Sequence, residues 1–328
     1  MKMKIQSKPI LIKCLLYSLM SFILAGCQNT EPESIHLYKN KQYEKAMPLL
    51  KADANNGNAQ AQFYLGKLYA DGNILEKDEN EALIWYRKSA RQDNGDAQYS
   101  IAQAYFYGNL GLEKDRKKAF DLYEKSAESG NTDSQIKLGL CYYFGEGTPK
   151  DYKQSFIWLK KGTRENKKES KYAYFLLGNM LFKGLGVQGD PAESAKWFEK
   201  AAVLGDAHSQ AMLASQYYEG LGVPKSIEKA QYWAEKSAEQ GNEGGKYFLG
   251  IIYEHTGKKT GKAIVLYKQA SENGMPLASF RLAQIYEEGK GVDKDMKKAF
   301  RYYKLAADQG SKEAMEKVKA FEKGNLSE

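Results

Sequence analysis

The chain has 328 residues, with 49 Lys and Arg against 41 Asp and Glu, a formal net charge of +8, and only three His and three Cys. That inventory leaves no His/Cys cluster at zinc-site spacing and no metalloprotease H-E-x-x-H. Acids are mixed throughout with the bases, which argues against a nucleic-acid binder.

The N-terminus reads as a processed leader. "MKMKIQSKPILIK" carries Lys2, Lys4, Lys8 and Lys13 and no acid. "CLLYSLMSFILAG" is an apolar run of thirteen residues, too short to span a bilayer. It ends in "LAGC", Leu24 to Cys27, which resembles the lipobox of bacterial lipoproteins. The resemblance implies removal of residues 1–26, lipid attachment at Cys27 and a membrane anchor there. Gln28 stands where Asp would favour inner-membrane retention, which implies a protein of the cell envelope, on the outer membrane facing the periplasm. Residues 27–33 would form a polar tether. Without its four leader lysines the chain carries a charge of only +4. Cys14 leaves with the leader and Cys27 takes lipid, so Cys141 has no disulfide partner. It lies in the helical pattern "LGLCYYFG", which predicts a buried, inert thiol.

From residue 34 onward the chain repeats. A Leu or Ile followed by a small residue opens "LGKLYADG" at 65, "IAQAYFYG" at 101, "LGLCYYFG" at 138 and "LGNMLFKG" at 177. "LASQYYEG" at 213, "LGIIYEHT" at 249 and "LAQIYEEG" at 282 continue the series, giving seven full repeats. A second block follows each, from "ALIWYRKSA" at 82 to "AFRYYKLAA" at 299. Six of the seven second blocks are followed by a Gly, at 95, 130, 205, 241, 274 and 310, read as a helix C-cap.

The spacing predicts two helices per repeat. Ala61, Leu65, Gly66 and Tyr69 share one face of the first, with the Tyr69 ring expected above the small residue. Ala82, Trp85, Tyr86, Ser89 and Ala90 form the facing stripe of the second. No unit of this size buries its own core, so the units must stack. "YEKAMPLLKADANNG" (43–57) matches a second block and predicts a divergent first unit from about Ser34. "SKEAMEKVKAFEKGN" predicts a solitary capping helix, so that the solenoid covers 34–324 and leaves 325–328 as a tail. Two units depart from the pattern, one before the fourth repeat ("TRENKKESK") and one at "EHTGKKTGKA", and both read as loop irregularities or docking points.

"GLGVQG", Gly184 to Gly189, fits the dinucleotide-binding G-x-G-x-x-G. That fingerprint needs a strand before it, and the preceding "KYAYFLLGNMLFK" has helical spacing. It is cognate with "GEGTPK", "GLGVPK" and "GKGVDK", so it reads as an inter-helix turn. A G-x-S-x-G elbow and a Walker P-loop are both absent. The carboxylates alternate with Lys on helix faces that solvation explains. No cofactor and no enzymatic activity are expected.

Ala-x-x-x-Leu-Gly-x-x-Tyr, then Gly-x-Gly-Val, then Ala-x-x-Trp-Tyr-x-Lys-Ala-Ala resembles the Sel-one-like repeat, a relative of the tetratricopeptide repeats. The resemblance implies an all-α fold, a right-handed α-solenoid of stacked helix-turn-helix repeats that binds another protein. By the tetratricopeptide analogy, the first-helix positions −2, +1, +4 and +5 from the small residue line the binding side. Its aromatic residues there are Tyr64, Phe106, Tyr107, Tyr143, Phe144, Phe182, Tyr218 and Phe248. Phe63, Tyr99, Phe175, Tyr247 and Phe280, at −3, are expected in the core.

Sel-one-like lipoproteins resemble immunity proteins that neutralise phospholipase effectors of type VI secretion, which implies a lipase as one partner. A scaffold or adaptor for envelope assembly or signalling is the alternative. An enzyme acting on cell-wall material or β-lactams is the third reading; its cysteine-rich relatives carry a disulfide in each repeat, and those Cys are missing here.

Overall fold

The computed structural model describes residues 31–72, 74–163, 170–257 and 260–325. The leader and the expected lipid-attachment residue Cys27 lie outside this range. The described residues form helices and turns only.

Two compact units are present. Of the described residues, the smaller holds those up to Ile101 together with 108–112, and the larger holds 102–107 and those from Glu113 onward. In the smaller, α1 (Glu33–Lys39) and α2 (Tyr43–Asn55) precede α3 (Ala59–Asp71) and α4 (Glu79–Ala90). Helix α5 (Gly95–Tyr107) contributes residues to both units.

The larger unit continues with α6 (Arg116–Glu128), α7 (Thr132–Phe144) and α8 (Tyr152–Gly162). Next come α9 (Lys171–Lys183), α10 (Pro191–Val203), α11 (Ala207–Glu219) and α12 (Ile227–Glu239). It closes with α13 (Glu243–Thr256), α14 (Thr260–Glu272), α15 (Pro276–Glu288), α16 (Met296–Asp308) and the solitary α17 (Lys312–Asn325). Odd-numbered helices are the first of each pair and even-numbered ones the second. The architecture is an all-α solenoid of stacked helix pairs.

Caps fix where the helices begin and end. The Oδ1 atoms of Asn58, Asn131, Asp206 and Asn242 accept from the backbone N–H three residues on and open first helices. Asp78, Asp115, Asp151, Asp190 and Asp295 open second helices in the same way. Each cap satisfies a donor that has no partner within the helix.

Burial differs from the expected stripe at one position. Ala61, Leu65 and Gly66 are buried, but Tyr69 is only half-buried. The deepest position is one residue earlier, at +2: Leu68, Ala104, Cys141, Met180, Gln216, Ile252 and Ile285 are all buried. The ring against Gly66 belongs to the partner helix. A Cβ on Gly66 would lie 2.9 Å from Tyr86 Cδ1, one on Gly178 2.6 Å from Phe198 Cδ1, and one on Gly250 2.6 Å from Tyr267 Cε1. A glycine therefore seats an aromatic ring of the second helix, and the +3 tyrosine packs at the rim.

The expected C-cap at Gly95 is also displaced. Gly95 begins α5, and Asp93 (φ 58°) takes the left-handed turn in its place. The residues at −3 (Phe63, Tyr99, Phe175, Tyr247 and Phe280) are half-buried, and Phe175, Tyr247 and Phe280 pack against the core from its edge. They lean on second-helix rings, as Phe175 does on Phe198 (6.1 Å) and Phe280 on Tyr303 (5.3 Å).

A recurrent buried amide links successive repeats. Gln62, Gln135 and Gln210 each donate Nε2 to the carbonyl of the residue eight before, Ala54, Ala127 and Ala202, at 3.0–3.1 Å. Those carbonyls sit at the C-terminus of the preceding second helix, where intrahelical partners run out. Gln92 and Gln240 extend the chain, donating to Gln62 and Gln210 Oε1 at 2.8 Å.

Candidate partner-binding face

"GLGVQG" is a turn between α9 and α10. Gly184 ends α9 in the left-handed conformation, with its N–H on Met180 O. Gly186 (φ 70°) lies against the first turn of α8. The helix before it and the close packing behind it leave no phosphate cradle.

The first helices of the larger unit touch one another through the predicted positions. Lys137 Nζ reaches Tyr107 Oη at 3.5 Å, and Asn179 Nδ2 donates to Tyr143 Oη at 3.3 Å. His255 meets Tyr218 edge-on at 5.9 Å. Lys317 pairs with Glu287 at 3.3 Å. Residues at +4 and +5 change character along this row. They read Phe106–Tyr107, Tyr143–Phe144, Phe182–Lys183, Tyr218–Glu219, Glu254–His255 and Glu287–Glu288.

The eight aromatic candidates divide by depth. Tyr107 (56 % exposed) and Phe144 (45 %) stand free of the core. Phe106 is half-buried beneath the Arg116 guanidinium, which lies 3.4 Å from its ring centroid. Tyr143 packs against the Leu159–Leu177 core and Phe182 against Phe198 and Leu213. Tyr218 and Phe248 pack against Leu249 and Ile252. In the smaller unit Tyr64 stacks on Tyr38 at 4.2 Å and joins that core.

A cavity of about 400 Å³ opens on the acidic stretch of the row. Tyr218, Tyr247, Ile251, Glu254, His255, Arg281, Gln284 and Lys290 line it. All but Tyr247 and Lys290 occupy −2, +1, +4 or +5. Glu254, with 7 % of its side chain exposed, sits at the centre. Arg281 grips both its oxygens, with Nε 3.0 Å from Oε2, and Lys290 Nζ lies 2.8 Å from Oε1. Tyr267 Oη donates at 3.1 Å.

Burial pushes the Glu254 carboxyl up, but the hydrogen bonds from Arg281, Lys290 and Tyr267 outweigh it and hold it down to about 2. Burial, and then Glu254, push the Tyr267 phenol well up, so it stays a donor. The carboxylate is thus charged, fully occupied and fixed, which suits a preorganised recognition surface and not a proton-transfer group.

In the sequence Glu254 falls among the carboxylates that solvation explains, and Arg281 is not singled out. Their signal lay in the irregular "EHTGKKTGKA", which begins at Glu254, and in Arg281 at −2 of the next repeat. Cys141 is buried, and burial pushes its thiol up to about 12, far from a reactive thiolate. Among the described residues no group of three or more His, Cys, Asp or Glu could hold a metal ion. No described helix is long and apolar enough to cross a membrane.

Known proteins carry the same architecture. The crystal structure of a protective antigen from uropathogenic Escherichia coli, displaying an SLR fold, is 29% identical with a TM-score of 0.57, covering 84% of this chain and 66% of that one. A Sel1 repeat protein from Oxalobacter formigenes is 29% identical with a TM-score of 0.56, covering 83% and 94%. Chitin synthase regulatory factor 3 of Schizosaccharomyces pombe is 25% identical over 163 residues, 49% of this chain. Those residues span only 13% of the yeast protein. The family model for the Sel1 repeat matches residues 59–94, 95–131, 132–166, 171–206, 207–242, 245–275 and 276–311. With seven matched units over most of its length, and a helix pair in each, the chain belongs to the Sel1 repeat family, whose repeats mediate protein–protein interaction.

Proposed function

We propose that the chain holds a partner protein against the first-helix face of its larger unit, and that it is an immunity protein neutralising a phospholipase effector of type VI secretion. The observation that carries the binding reading is the +4/+5 row, with exposed Tyr107 and Phe144 at one end and the Glu254–Arg281 cavity toward the other. Rigid aromatic anchors beside an ordered charged site are how interfaces concentrate binding energy. The immunity role rests on the lipobox-like "LAGC" and on the resemblance of Sel-one-like lipoproteins to such inhibitors. An anchor at Cys27, on the outer membrane facing the periplasm, would hold the inhibitor where an arriving lipase acts.

The test is capture with the intact chain as bait, followed by mass spectrometry. One near-stoichiometric lipase, inhibited on binding, supports the immunity reading. A set of envelope proteins without a lipase favours a scaffold or adaptor instead. The match to a protein named as a chitin synthase regulatory factor gives that second reading its own support, since a regulator also acts by binding. Cys27→Ser should release the folded chain from uncharged phosphatidylcholine membranes, and persistent partitioning there would remove the anchor from the proposal.

A further inference from the structure

We propose that the opposite surface of the larger unit, formed by the second helices α8 to α16, lies on an anionic phospholipid bilayer. The inference is independent of the partner-binding face and of Cys27.

Two grooves carry it. The first, about 490 Å³, runs between α8 and α10. Lys160, Lys161 and Lys200 line it together with Phe156, Ile157 and Trp197. Lys161 Nζ lies 4.2 Å from the Trp158 ring and Lys200 Nζ 4.4 Å from the Trp197 ring. None of the three lysines has a carboxylate partner among the described residues. Trp197 is 8 % exposed, and its Nε1 has no hydrogen-bond partner among the described residues.

The second groove, about 430 Å³, lies between α14 and α16. Lys268, Lys298 and Arg301 surround Tyr286 and Tyr302, whose rings stack at 5.7 Å and 4°. Lys298 is answered by Asp295, whereas Lys268 and Arg301 are in no ion pair among the described residues. Among the described residues no carboxylate lines either groove. Two sites on one surface, each with three cations, therefore call for an array of anions.

What lies between them selects the kind of array. Ile157, Tyr232 and Val265 hold the same position of the second-helix block in three repeats, and each is exposed. Apolar tips repeated on a water-facing surface mark a contact. At a bilayer such tips enter the headgroup boundary and the lysines meet phosphates. A single strand of nucleic acid needs exposed rings on which bases stack; here the Trp197 ring is buried below its lysine, and most of the exposed tips are aliphatic. An acidic peptide would answer the cations and leave those tips in water. Helix α12 is mixed in charge, so the attraction is concentrated at the two grooves.

The experiment is lysine labelling of the full chain, read by mass spectrometry, with phosphatidylcholine vesicles containing or lacking phosphatidylglycerol. A leader or anchor acts in both vesicle types, so the difference reports the anionic lipid. Labelling of Lys160, Lys161, Lys200 and Lys268 should fall several-fold with phosphatidylglycerol only, and Lys183 on the first-helix face should not change. The exposed triple variant Lys160→Gln, Lys161→Gln, Lys200→Gln should keep its helical spectrum and lose about tenfold of the phosphatidylglycerol-dependent vesicle binding. Ile157→Ser with Val265→Ser should weaken that binding while keeping its salt dependence. Equal labelling in both vesicle types would overturn the proposal. So would protection by inorganic phosphate, poly-glutamate or an oligonucleotide where the vesicles give none.

Discussion

Gly186 lies so close to Tyr152 that a Cβ placed on it would sit 2.4 Å from the Tyr152 carbonyl carbon. Gly222 repeats the relationship one unit on, 2.2 Å from the Pro191 carbonyl carbon. At Gly147, Gly186 and Gly222 the second glycine of the loop is thus where one repeat rests on the first turn of the preceding second helix. The constraint has two parts, since Gly186 is also left-handed at φ 70°.

Gly186→Ala should therefore destabilise by about 3 kcal/mol or more, from left-handed backbone strain plus displacement of α8. Gly205→Ala separates the two terms. Its φ is 84°, but nothing lies within 4 Å of its Cβ position, so it should cost only the backbone part, about 1 kcal/mol. Urea denaturation of both variants measures the difference. Equal losses would show that the close approach contributes nothing.

Gln210 predicts a second, separable coupling. Gln210→Leu leaves the Ala202 carbonyl and the Gln240 amide without their partner, at a cost of about 1–3 kcal/mol. Gln240→Ala, at the exposed end of the chain, should cost under about 1 kcal/mol. Thermal unfolding of the two variants ranks them, and a larger loss at Gln240 would overturn the account.

The periodicity of Leu–small and of the Trp/Tyr blocks placed the helices, because burial on a helix face must recur at helical spacing. It did not place the buried position at +2. There the chain uses Ala, Cys, Met, Gln and Ile as well as Leu, and depth without a shared residue type leaves no pattern. The glutamines were overlooked for a related reason. A buried amide is recognisable only once its carbonyl partner, eight residues earlier in the preceding helix, is known. On the binding face, the aromatic residues were legible as a set, but their depth was not. Tyr107 and Tyr143 sit one residue apart in the repeat, at +5 and +4, and only the +4 ring turns back onto the core. Cys27 and the leader lie outside the described residues and stay expectations.

The Glu254 site predicts an acid-limb signature. Its carboxyl is held down to about 2 in the folded chain and rises to near 4.5 on unfolding. A depressed carboxylate stabilises above its unfolded value, and that stabilisation is lost as pH falls toward the folded one. The wild type should lose about 3 kcal/mol more than Glu254→Gln between about pH 5 and pH 2. Arg281→Ala should raise the Glu254 carboxyl and shrink this pH dependence, with a loss of about 2–3 kcal/mol at neutral pH. Denaturation midpoints across the range provide the check, and parallel curves for wild type and Glu254→Gln would refute the clamp.

Tyr107 and Phe144 bear most directly on function, because they are the row's aromatic side chains that stand free of the core. Replacing both with Ala removes exposed rings and should change stability by less than about 1 kcal/mol. If they anchor the partner, capture should weaken by about tenfold or more, as expected for aromatic hot spots. Phe106→Ala is the counterpart. It strips the ring from beneath Arg116 and should lower stability, with its effect on binding following from that loss. Measuring unfolding and partner capture on the same preparations separates the two behaviours. A double variant that melts early, or that captures the partner undiminished, would move the interface elsewhere on the solenoid.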